Sequence, residues 1–397
     1  MRRRLGGVAL ASLLVIWLSG NAAWGGVADV LRDPRFARLE LAPIAPILAS
    51  TVASTYPVAS ASSSVTYVYN PTLDTLEREA GVPGPILGER AETIGRRRFN
   101  LAVAYSYVRL TTINGDDLDS LVNRPRIRGR SIVFPLRGGI TLRDGRFTNF
   151  LPVRVEADLD VQAHILAPSL TYGVTPDLDL NATLPLLHTS LDVTAHTQVP
   201  DPRFTQFALA PHDPNAQRGS RSLSDDASGA GDLLLRAKYV LLRGRYVDAA
   251  AALGLSLPTG SQDDLQGSGT TRVQPGLVLS HVIADRFEPL LNVGLDCDAD
   301  EVDRSIVRWA VGGTAKVWDP LTVALVFLGR HELGVPGEKI PTPFFFQVER
   351  SDQYDASIGA RWRVTDAGFV SVNAIVPLNR EGLRAEAIPT VEAEYAF

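Results

Sequence analysis

The residues in this sequence that are best able to do chemistry are charged side chains that recur at alternate positions. The basic ones are Arg154, Arg236, Lys238, Arg272, Arg308, Lys316, Arg361 and Arg363. The acidic ones are Glu156, Asp158, Asp160, Asp179, Asp192, Glu288, Glu392 and Glu394. On strands, this spacing places them on a face that needs water. Opposed basic and acidic walls would select solutes by charge in an aqueous bore; alternatively, the pairs neutralise each other across a filled interior.

Two further sets of residues have side chains that bind metal ions. The acidic run is Asp296, Asp298, Asp300, Glu301 and Asp303. It offers oxygen ligands for Ca²⁺, but it lacks the glycine and the distal Glu of an EF-hand loop. The histidines are His164, His188, His196 and His212. Their spacing matches no known metal site, so we expect solvated carboxylates and separate histidines, with no metal and no cofactor.

Nucleophilic catalysis would require a serine that is hydrogen-bonded to a histidine base. The sequence has no G-x-S-x-G motif, because Pro258 stands where the motif around Ser256 needs a second glycine. His281 shares a predicted apolar face with Val273 and Leu279 and is the only candidate base for lipid hydrolysis. We expect no catalytic residues and no enzymatic activity.

The elements that position these residues show a strict alternation of apolar and polar side chains. Over residues 153–165, Val, Ala, Leu and Ile occupy every odd position, while charged or polar residues occupy every even position. A strand with this pattern has one apolar face and one polar face that needs water. In a soluble sheet the apolar face would cover a core, whereas in a transmembrane barrel it would face lipid. We predict the second arrangement, with the odd positions toward lipid.

The same alternation recurs from residue 99 to the end of the chain, and no helical period is sustained there. Short polar turns are predicted at 175–177, 243–245, 285–286, 318–320 and 365–367. Along the chain they alternate with long connections at 113–150, 200–230, 259–270, 299–304, 332–350 and 379–387. Short turns at one end and long loops at the other are typical of outer-membrane barrels. The sequence therefore predicts an all-β protein, a transmembrane antiparallel up-and-down β-barrel of about twelve strands.

The N-terminus has the layout of an export signal. Arg2, Arg3 and Arg4 precede an apolar stretch at 5–18, and small residues follow. We predict removal of residues 1–25, and loss of the three arginines takes the formal charge from −5 to about −8. The mature chain is therefore not expected to bind nucleic acid. The single cysteine, Cys297, excludes an internal disulfide.

Aromatic residues and the C-terminus favour the same fold. Aromatics lie near the predicted short turns at Tyr172, Tyr239, Tyr246, Phe287, Trp318, Trp362 and Phe369. A ring of aromatics at one depth indicates a membrane interface, with contact to outer-membrane lipid and lipopolysaccharide. The last strand ends at Phe397, which resembles the signal that the barrel-assembly machinery recognises.

Residues 26–95 form a separate region between the signal and the barrel, which we place at 96–397. Pro and Ala are frequent at 42–61, and Gly84 and Pro85 precede the first barrel strand. Two arrangements remain open for this N-terminal segment: a plug in the lumen, or a periplasmic tail outside the barrel.

Several short motifs resemble one known family. Gly231-Asp232-Leu233, Ala237-Lys238-Tyr239 and Leu255-Ser256-Leu257-Pro258-Thr259-Gly260 resemble motifs of the family named for the meta-pathway of phenol degradation. The hairpin from Tyr172 to Leu180 is similar to another, although Pro176 precedes Asp177 and no Arg follows it. The resemblance covers about residues 150–397. It implies an outer-membrane channel related to the long-chain fatty-acid and aromatic-hydrocarbon uptake channels.

Taken together, the patterns predict a bacterial outer-membrane channel for passive uptake of small molecules, with hydrophobic or aromatic compounds implied by the resemblance. The alternatives are a structural or adhesive barrel whose loops, mainly 200–230, bind a surface partner, or a lipid-hydrolysing barrel. The substrate, the gating and the oligomeric state stay open at this point.

Overall fold

The computed structural model describes residues 26–33, 45–55, 67–70, 75–78, 87–122, 132–141, 145–198, 218–302, 305–334 and 352–397. The predicted export signal and most of the two long connections 199–217 and 335–351 lie outside these residues. Within the described ranges, no helix has both the length and the apolar character needed to cross a membrane.

The described residues form two helices, a 3₁₀ turn (Leu118–Ser120) and twenty strands. The helices are α1 (Asp29–Arg32) and α2 (Ala45–Thr55). The strands that precede the long strand are β1 (Tyr67–Asn70), β2 (Thr75–Arg78), β3 (Phe99–Ile113), β4 (Asp116–Asp117), β5 (Leu121–Val122) and β6 (Ile132–Thr141). The rest are β7 (Phe147–Gly173), β8 (Leu178–Thr183), β9 (Leu186–Gln198), β10 (Arg218–Ala230), β11 (Leu233–Arg243), β12 (Asp248–Leu257), β13 (Arg272–Ser280), β14 (Phe287–Asp298), β15 (Ile306–Trp318), β16 (Leu321–Glu332), β17 (Gln353–Arg363), β18 (Gly368–Pro377), β19 (Leu383–Ala385) and β20 (Ile388–Ala396).

The sheet closes on itself, because β3 pairs with β7 on one side and with β20 on the other. At this seam, the backbone N–H groups of Phe99 and Phe397 each donate to the other's carbonyl oxygen at 2.8 Å. The wall is crossed by β3, β7, β8 with β9, β10 with β11, β12 to β18, and β20. The predicted twelve-strand antiparallel barrel is therefore confirmed. Closure satisfies the backbone hydrogen bonds that a lipid environment cannot supply.

Two of the crossings are interrupted at the same height. Leu184 and Pro185 separate β8 from β9, and Gly231 and Asp232 separate β10 from β11. The Gly231 N–H donates to the Pro185 carbonyl oxygen at 2.8 Å, so the two interruptions lie side by side. Because Pro185 has no N–H to give to a ladder, the strand is interrupted at this residue without leaving its donor unpaired.

In the membrane band, the outward side chains are apolar and the inward ones are small or polar. Leu101, Leu180 and Leu253 are exposed by 45%, 45% and 53%, whereas the inward neighbours Ala102 and Asn181 are buried. Exposing so much apolar side chain is favourable only against hydrocarbon. This part of each strand follows the predicted alternation.

The long strand β7 exchanges the polarity of its two faces part-way along. From Ala157 to Ile165 the odd-numbered side chains are apolar and at most 1% exposed, and they face the barrel interior. From Leu166 onward, the even-numbered side chains are apolar and face outward, as Leu170 does with 45% exposure. The prediction that the odd positions of 153–165 face lipid is therefore wrong.

The reason for the exchange is the length of the strand. β7 has 27 residues, whereas a crossing needs about 9 to 11. The projecting part has water outside, and its inner face packs on the N-terminal segment. Leu159 and Leu191 share one apolar core with Leu31 of α1 and Leu48 of α2.

Four of the predicted lumen residues consequently lie on the outer surface. These are Glu156, Asp158 and Asp160 on β7 and Asp192 on β9. The guanidinium of Arg109 donates to Asp160 at 2.8 Å, and the imidazole Nε2 of His196 lies 3.1 Å from Asp158. Their assignment to the lumen is wrong, because the strands have left the membrane at this height. Arg154 pairs with Gln198 in the same ladder, and its side chain lies outside the described residues.

Aromatic side chains mark both edges of the membrane band. At the short-turn end the exposed ones are Tyr239, Tyr246, Phe287, Trp318 and Trp362, as predicted. Tyr172 lies there too, with its ring 4.6 Å from that of Phe99. Phe369 differs from the prediction, because it faces the interior with 2% exposure and packs on Ala396. The parity of β18 places Val370, not Phe369, toward lipid.

The exchange of faces predicts a pattern of chemical labelling. In a Cys297→Ser background, Gln162→Cys should react with a water-soluble maleimide of about 5 kDa, a size that is excluded from the close-packed interior. Val161→Cys, which replaces a side chain that is 1% exposed in the interior, should not react. Leu170→Cys controls for burial in lipid and should also stay unlabelled. Protection of Gln162→Cys would contradict the exchange of faces, because the original assignment places this residue inside the bore.

Candidate functional site

The barrel encloses a cavity of about 430 Å³ between the N-terminal segment and the inner wall. Ser50 and Ala53 of α2 and residues 87–89 line it on one side. On the other side it is lined by inward side chains of β8 and of β11 to β18. This volume lies within the range of sites that hold small molecules.

The wall of the cavity has a floor with few side chains. Gly254 of β12, Gly276 of β13 and Gly294 of β14 lie on the inner faces of three neighbouring strands, and Ala252 pairs with Gly276. Gly276 and Gly294 are ladder partners, so backbone lines the cavity over two neighbouring strands, whereas the side chain of Gln274 lies against Gly254. Large inward side chains here would fill the space that the cavity occupies.

Arginines of β13, β15 and β16 stand at one edge of this floor. Asp296 is 1% exposed and is approached by two of them, Arg272 at 2.7 Å and Arg308 at 2.6 Å. Arg308 and Arg330 are direct partners in the ladder between β15 and β16. This edge of the cavity thus carries three guanidinium groups together with the carboxylates of Asp296, Asp298 and Glu332. Arg330 was not among the predicted lumen residues, although its alternation with Leu328 and Glu332 places it on the same face.

The N-terminal segment is held at the opposite edge by reciprocal hydrogen bonds. The Glu89 N–H donates to Asn292 Oδ1 at 2.7 Å, and Asn292 Nδ2 donates to the Glu89 carbonyl at 2.9 Å. The Glu89 carboxylate lies 3.3 Å from the guanidinium of Arg236. Gly88 adopts φ +85°, and a Cβ there would lie 2.9 Å from Asn292 Oδ1. The backbone can therefore approach the wall this closely only with glycine at position 88.

Below the cavity, residues 90–94 bind buried polar groups of the barrel. Lys238 Nζ donates to the carbonyl oxygens of Arg90 and Glu92, at 3.1 and 2.6 Å. Arg90 also forms an ion pair with Glu288 at 3.2 Å, and the Ile94 N–H donates to Asp179 at 3.0 Å. These charges neutralise each other between the segment and the wall. Arg90 and Glu92 are functional-site residues that sequence analysis missed, since nothing in a linear pattern brings residues so far apart together.

The remaining predicted lumen residues fall into two groups. Arg361 is 1% exposed and lies 3.4 Å from Glu392 and 3.7 Å from Glu394, on the inner faces of β17 and β20. Lys316 and Arg363 both pair with Asp319, in the turn between β15 and β16. The first group is a neutralised patch of the wall, and the second lies at the rim of the bore.

The residues considered as metal ligands have other partners. Asp296 and Asp298 lie on β14, not on an outer loop, and Asp298 also accepts hydrogen bonds from the N–H groups of Asp300 and Glu301. Asp303 and His212 lie outside the described residues. Within the described ranges, no three His, Cys, Asp or Glu side chains are grouped so as to hold a metal ion.

His164 of β7 and His188 of β9 belong to an aromatic cluster on the outer wall. His164 Nδ1 lies 2.8 Å from the Tyr105 hydroxyl, and the rings of His164 and His188 are 6.1 Å apart. His188 Nδ1 lies 2.9 Å from the Ser228 hydroxyl. His281, the predicted candidate base, instead has Asp248 as its partner at 2.9 Å. The position and the aromatic composition of the cluster around His164 and His188 suit the outer interface of the membrane.

The buried contacts of Lys238 predict how the segment is retained. Lys238→Met leaves two carbonyl oxygens and Asp179 without their cationic partner, which should cost about 3–5 kcal/mol of folding free energy. The cysteine of a Cys297→Ser, Thr93→Cys protein serves as a reporter for release of the segment. Its reaction with a water-soluble maleimide should become severalfold faster when Lys238→Met is added. Lys316→Met makes the same chemical change at the rim and is the control. Equal reaction rates in the two variants would show that Lys238 does not hold the segment.

The chain has a partial match to one family and low-scoring similarity to several solved structures. The model of the family described as the MetA-pathway of phenol degradation matches residues 143–324. None of the curated proteins matches the sequence. Among solved structures, an outer-membrane channel from Pseudomonas putida F1 is 14% identical, with 77% of this chain and 98% of that chain covered and a TM-score of 0.47.

Two further solved structures are similar at lower scores. A FadL homologue from Pseudomonas aeruginosa is 12% identical, with coverage of 77% and 90% and a TM-score of 0.34. The toluene transporter TodX from P. putida is 10% identical, with coverage of 76% and 89% and a TM-score of 0.37. From β7 into β16, the chain resembles the phenol-degradation family, as the motifs around Gly173 and Pro258 predict.

Proposed function

We propose that this chain is an outer-membrane channel for passive uptake of small apolar or aromatic molecules. The observation that carries the proposal is the cavity of about 430 Å³ inside a closed barrel whose outer wall is apolar. A chain that only anchored a surface domain would not need a floor of glycines inside its wall. The match to a family described by phenol degradation supports an aromatic solute.

The proposal includes a role for the N-terminal segment. Residues 26–95 act as a lumen plug that narrows the bore, residues 1–25 as the export signal, and residues 96–397 as the barrel. The contacts of α1, α2 and residues 87–94 with inward side chains support the plug over a periplasmic tail. We further propose recognition of Phe397 by the barrel-assembly machinery and contact of the outer aromatic cluster with lipopolysaccharide.

Electrical recording tests the channel directly. Purified protein in asymmetric planar bilayers, with lipopolysaccharide in one leaflet, should give discrete single-channel steps. Cells that express the chain should take up radiolabelled benzyl alcohol faster than cells with an empty vector. A correctly folded barrel that neither conducts nor accelerates uptake would contradict the proposal and favour an adhesive or structural barrel.

Displacement of the segment predicts a larger conductance. Gly88→Val introduces a Cβ at a φ of +85° and against Asn292, so the contact between segment and wall should break. Single-channel conductance should then rise severalfold. Gly145→Val is a matched control, because Gly145 has a φ of +80° with nothing within 4 Å of an added Cβ. Unchanged conductance in Gly88→Val would argue against a plug at this position.

The proposed channel carries out no catalysis, and lipid hydrolysis offers a direct check. Ser228 and His188 are hydrogen-bonded on the outer wall, which is the pair that such chemistry needs. The ring of His188 lies 6.1 Å from the ring of His164. Purified protein should release no fatty acid from phospholipid vesicles. Release that disappears in Ser228→Ala would contradict this expectation.

A further inference from the structure

Residues 26–28 of the N-terminal segment lie against the long connection between β12 and β13. The Ala28 N–H donates to the Asp263 carbonyl oxygen at 2.7 Å, and the Val27 N–H donates to the Asp264 carboxylate at 3.3 Å. Val27 and Ala28 are each 1% exposed, and Leu265 of the connection belongs to the same apolar core. Main-chain hydrogen bonds and apolar packing therefore fix this part of the segment to the connection.

Charged side chains surround the backbone nitrogen of Gly26. This nitrogen lies 3.1 Å from a carboxylate oxygen of Asp29. The guanidinium of Arg32 bridges Asp29 and Asp263, at 3.0 and 2.8 Å. Together with Asp264, three carboxylates and one guanidinium meet at this point of the chain. The surroundings of the Gly26 nitrogen therefore favour a positive charge on it.

Position 26 accepts only glycine, for a reason that does not involve the acidic side chains. A Cβ at this position would lie 2.6 Å from the Cβ and 2.6 Å from the carbonyl oxygen of Asp263. The carbonyl oxygen belongs to the main chain, so a flexible side chain cannot relieve the overlap. The backbone of Gly26 thus packs directly on the connection, and this contact places its nitrogen beside Asp29.

The residues that precede Gly26 suit an export peptidase. Such enzymes cleave after a small residue that has another small residue two positions earlier. Gly25 and Ala23 occupy these positions for the bond between Gly25 and Gly26. Hydrolysis of this bond consumes one water, and the Gly25 carbonyl carbon leaves as a carboxylate. The Gly26 nitrogen changes from an uncharged amide into an amine, which is protonated near neutral pH.

We infer that the bond between Gly25 and Gly26 is the processing site, and that Asp29, beside Asp263 and Asp264, binds the new α-ammonium group of Gly26. The inference rests on the proposed export signal and goes beyond it, because it assigns the bond and gives the new chain end a binding site. A charged donor forms a hydrogen bond about twice as strong as a neutral one does. Processing therefore completes the attachment of α1 to the connection.

The position of the bond can be tested by intact-mass analysis of protein purified from outer membranes. The full chain, expressed with its own N-terminus, should yield a mature chain that begins at Gly26. Gly25→Ala keeps a small residue before the bond, so its mature chain should have the same mass. A mature chain that begins at another residue would overturn the inference and leave the channel in place. Retention of residues 1–25 would also overturn the proposed export signal.

The binding site can be tested by the reactivity of the α-amine. Picolinaldehyde condenses with an α-amine only in its unprotonated form, so an ion pair with Asp29 should slow the reaction. The side chains of Asp29 and Asp263 are 49% and 60% exposed, and exposed ion pairs have modest strength. Asp29→Asn should therefore accelerate the reaction about two- to fivefold. The control is Asp285→Asn, the same change in the turn between β13 and β14, where Asn tolerates the φ of +52°.

A further variant separates loss of the ion pair from general loosening of the segment. Arg32→Gln removes the guanidinium that competes for Asp29 and Asp263, so the α-ammonium should be held more strongly and react more slowly. Acceleration by Arg32→Gln would show that α1 has merely become loose, and it would overturn the binding site. Equal rates in Asp29→Asn and Asp285→Asn would overturn it as well.

Discussion

The constraint on which the structure depends is that a strand in a bilayer has two different solvents on its two faces. The backbone must be satisfied by closure, so every side chain faces either the interior or hydrocarbon. Where β7 and β9 rise above the membrane, hydrocarbon is replaced by water, and the apolar side chains move to the inner face. The inner face can accept them only because α1 and α2 lie within the barrel and share a core with them. The N-terminal segment and the projecting strands therefore stabilise each other.

The contacts between the N-terminal segment and the wall continue down the bore, but the type of interaction changes with depth. Near the long loops the segment packs through apolar side chains such as Leu31 and Leu48. At mid-height it is held by the reciprocal hydrogen bonds between Glu89 and Asn292, and toward the short turns by Lys238 and Asp179. The cavity lies beside the hydrogen-bonded part, where Gly254, Gly276 and Gly294 keep the wall thin. Space for a solute thus results from small residues on one side and close backbone contact on the other.

Most of the fold could be predicted from the sequence, because period-2 alternation and turn lengths are local signals. The failure concerned residues 153–165, where the alternation is strictest and the environment is reversed. A signal for the reversal is present: two apolar residues stand side by side at Ile165-Leu166 and again at Leu186-Leu187, which breaks the alternation where each strand leaves the membrane. The partners of Arg90 could not be predicted, because the path of the N-terminal segment along the wall decides which wall charges it meets, and no local pattern encodes that path.

The location of the two ends of the N-terminal segment has a kinetic consequence. The Ala28 N–H donates to the Asp263 carbonyl between β12 and β13, a long connection, whereas Gly95 lies beside Gly173 at the opposite, short-turn end. In the proposed channel, a solute would therefore pass described parts of the same peptide at both ends of the bore. Throughput would then depend on how fast these main-chain contacts exchange, as well as on the diameter of the barrel.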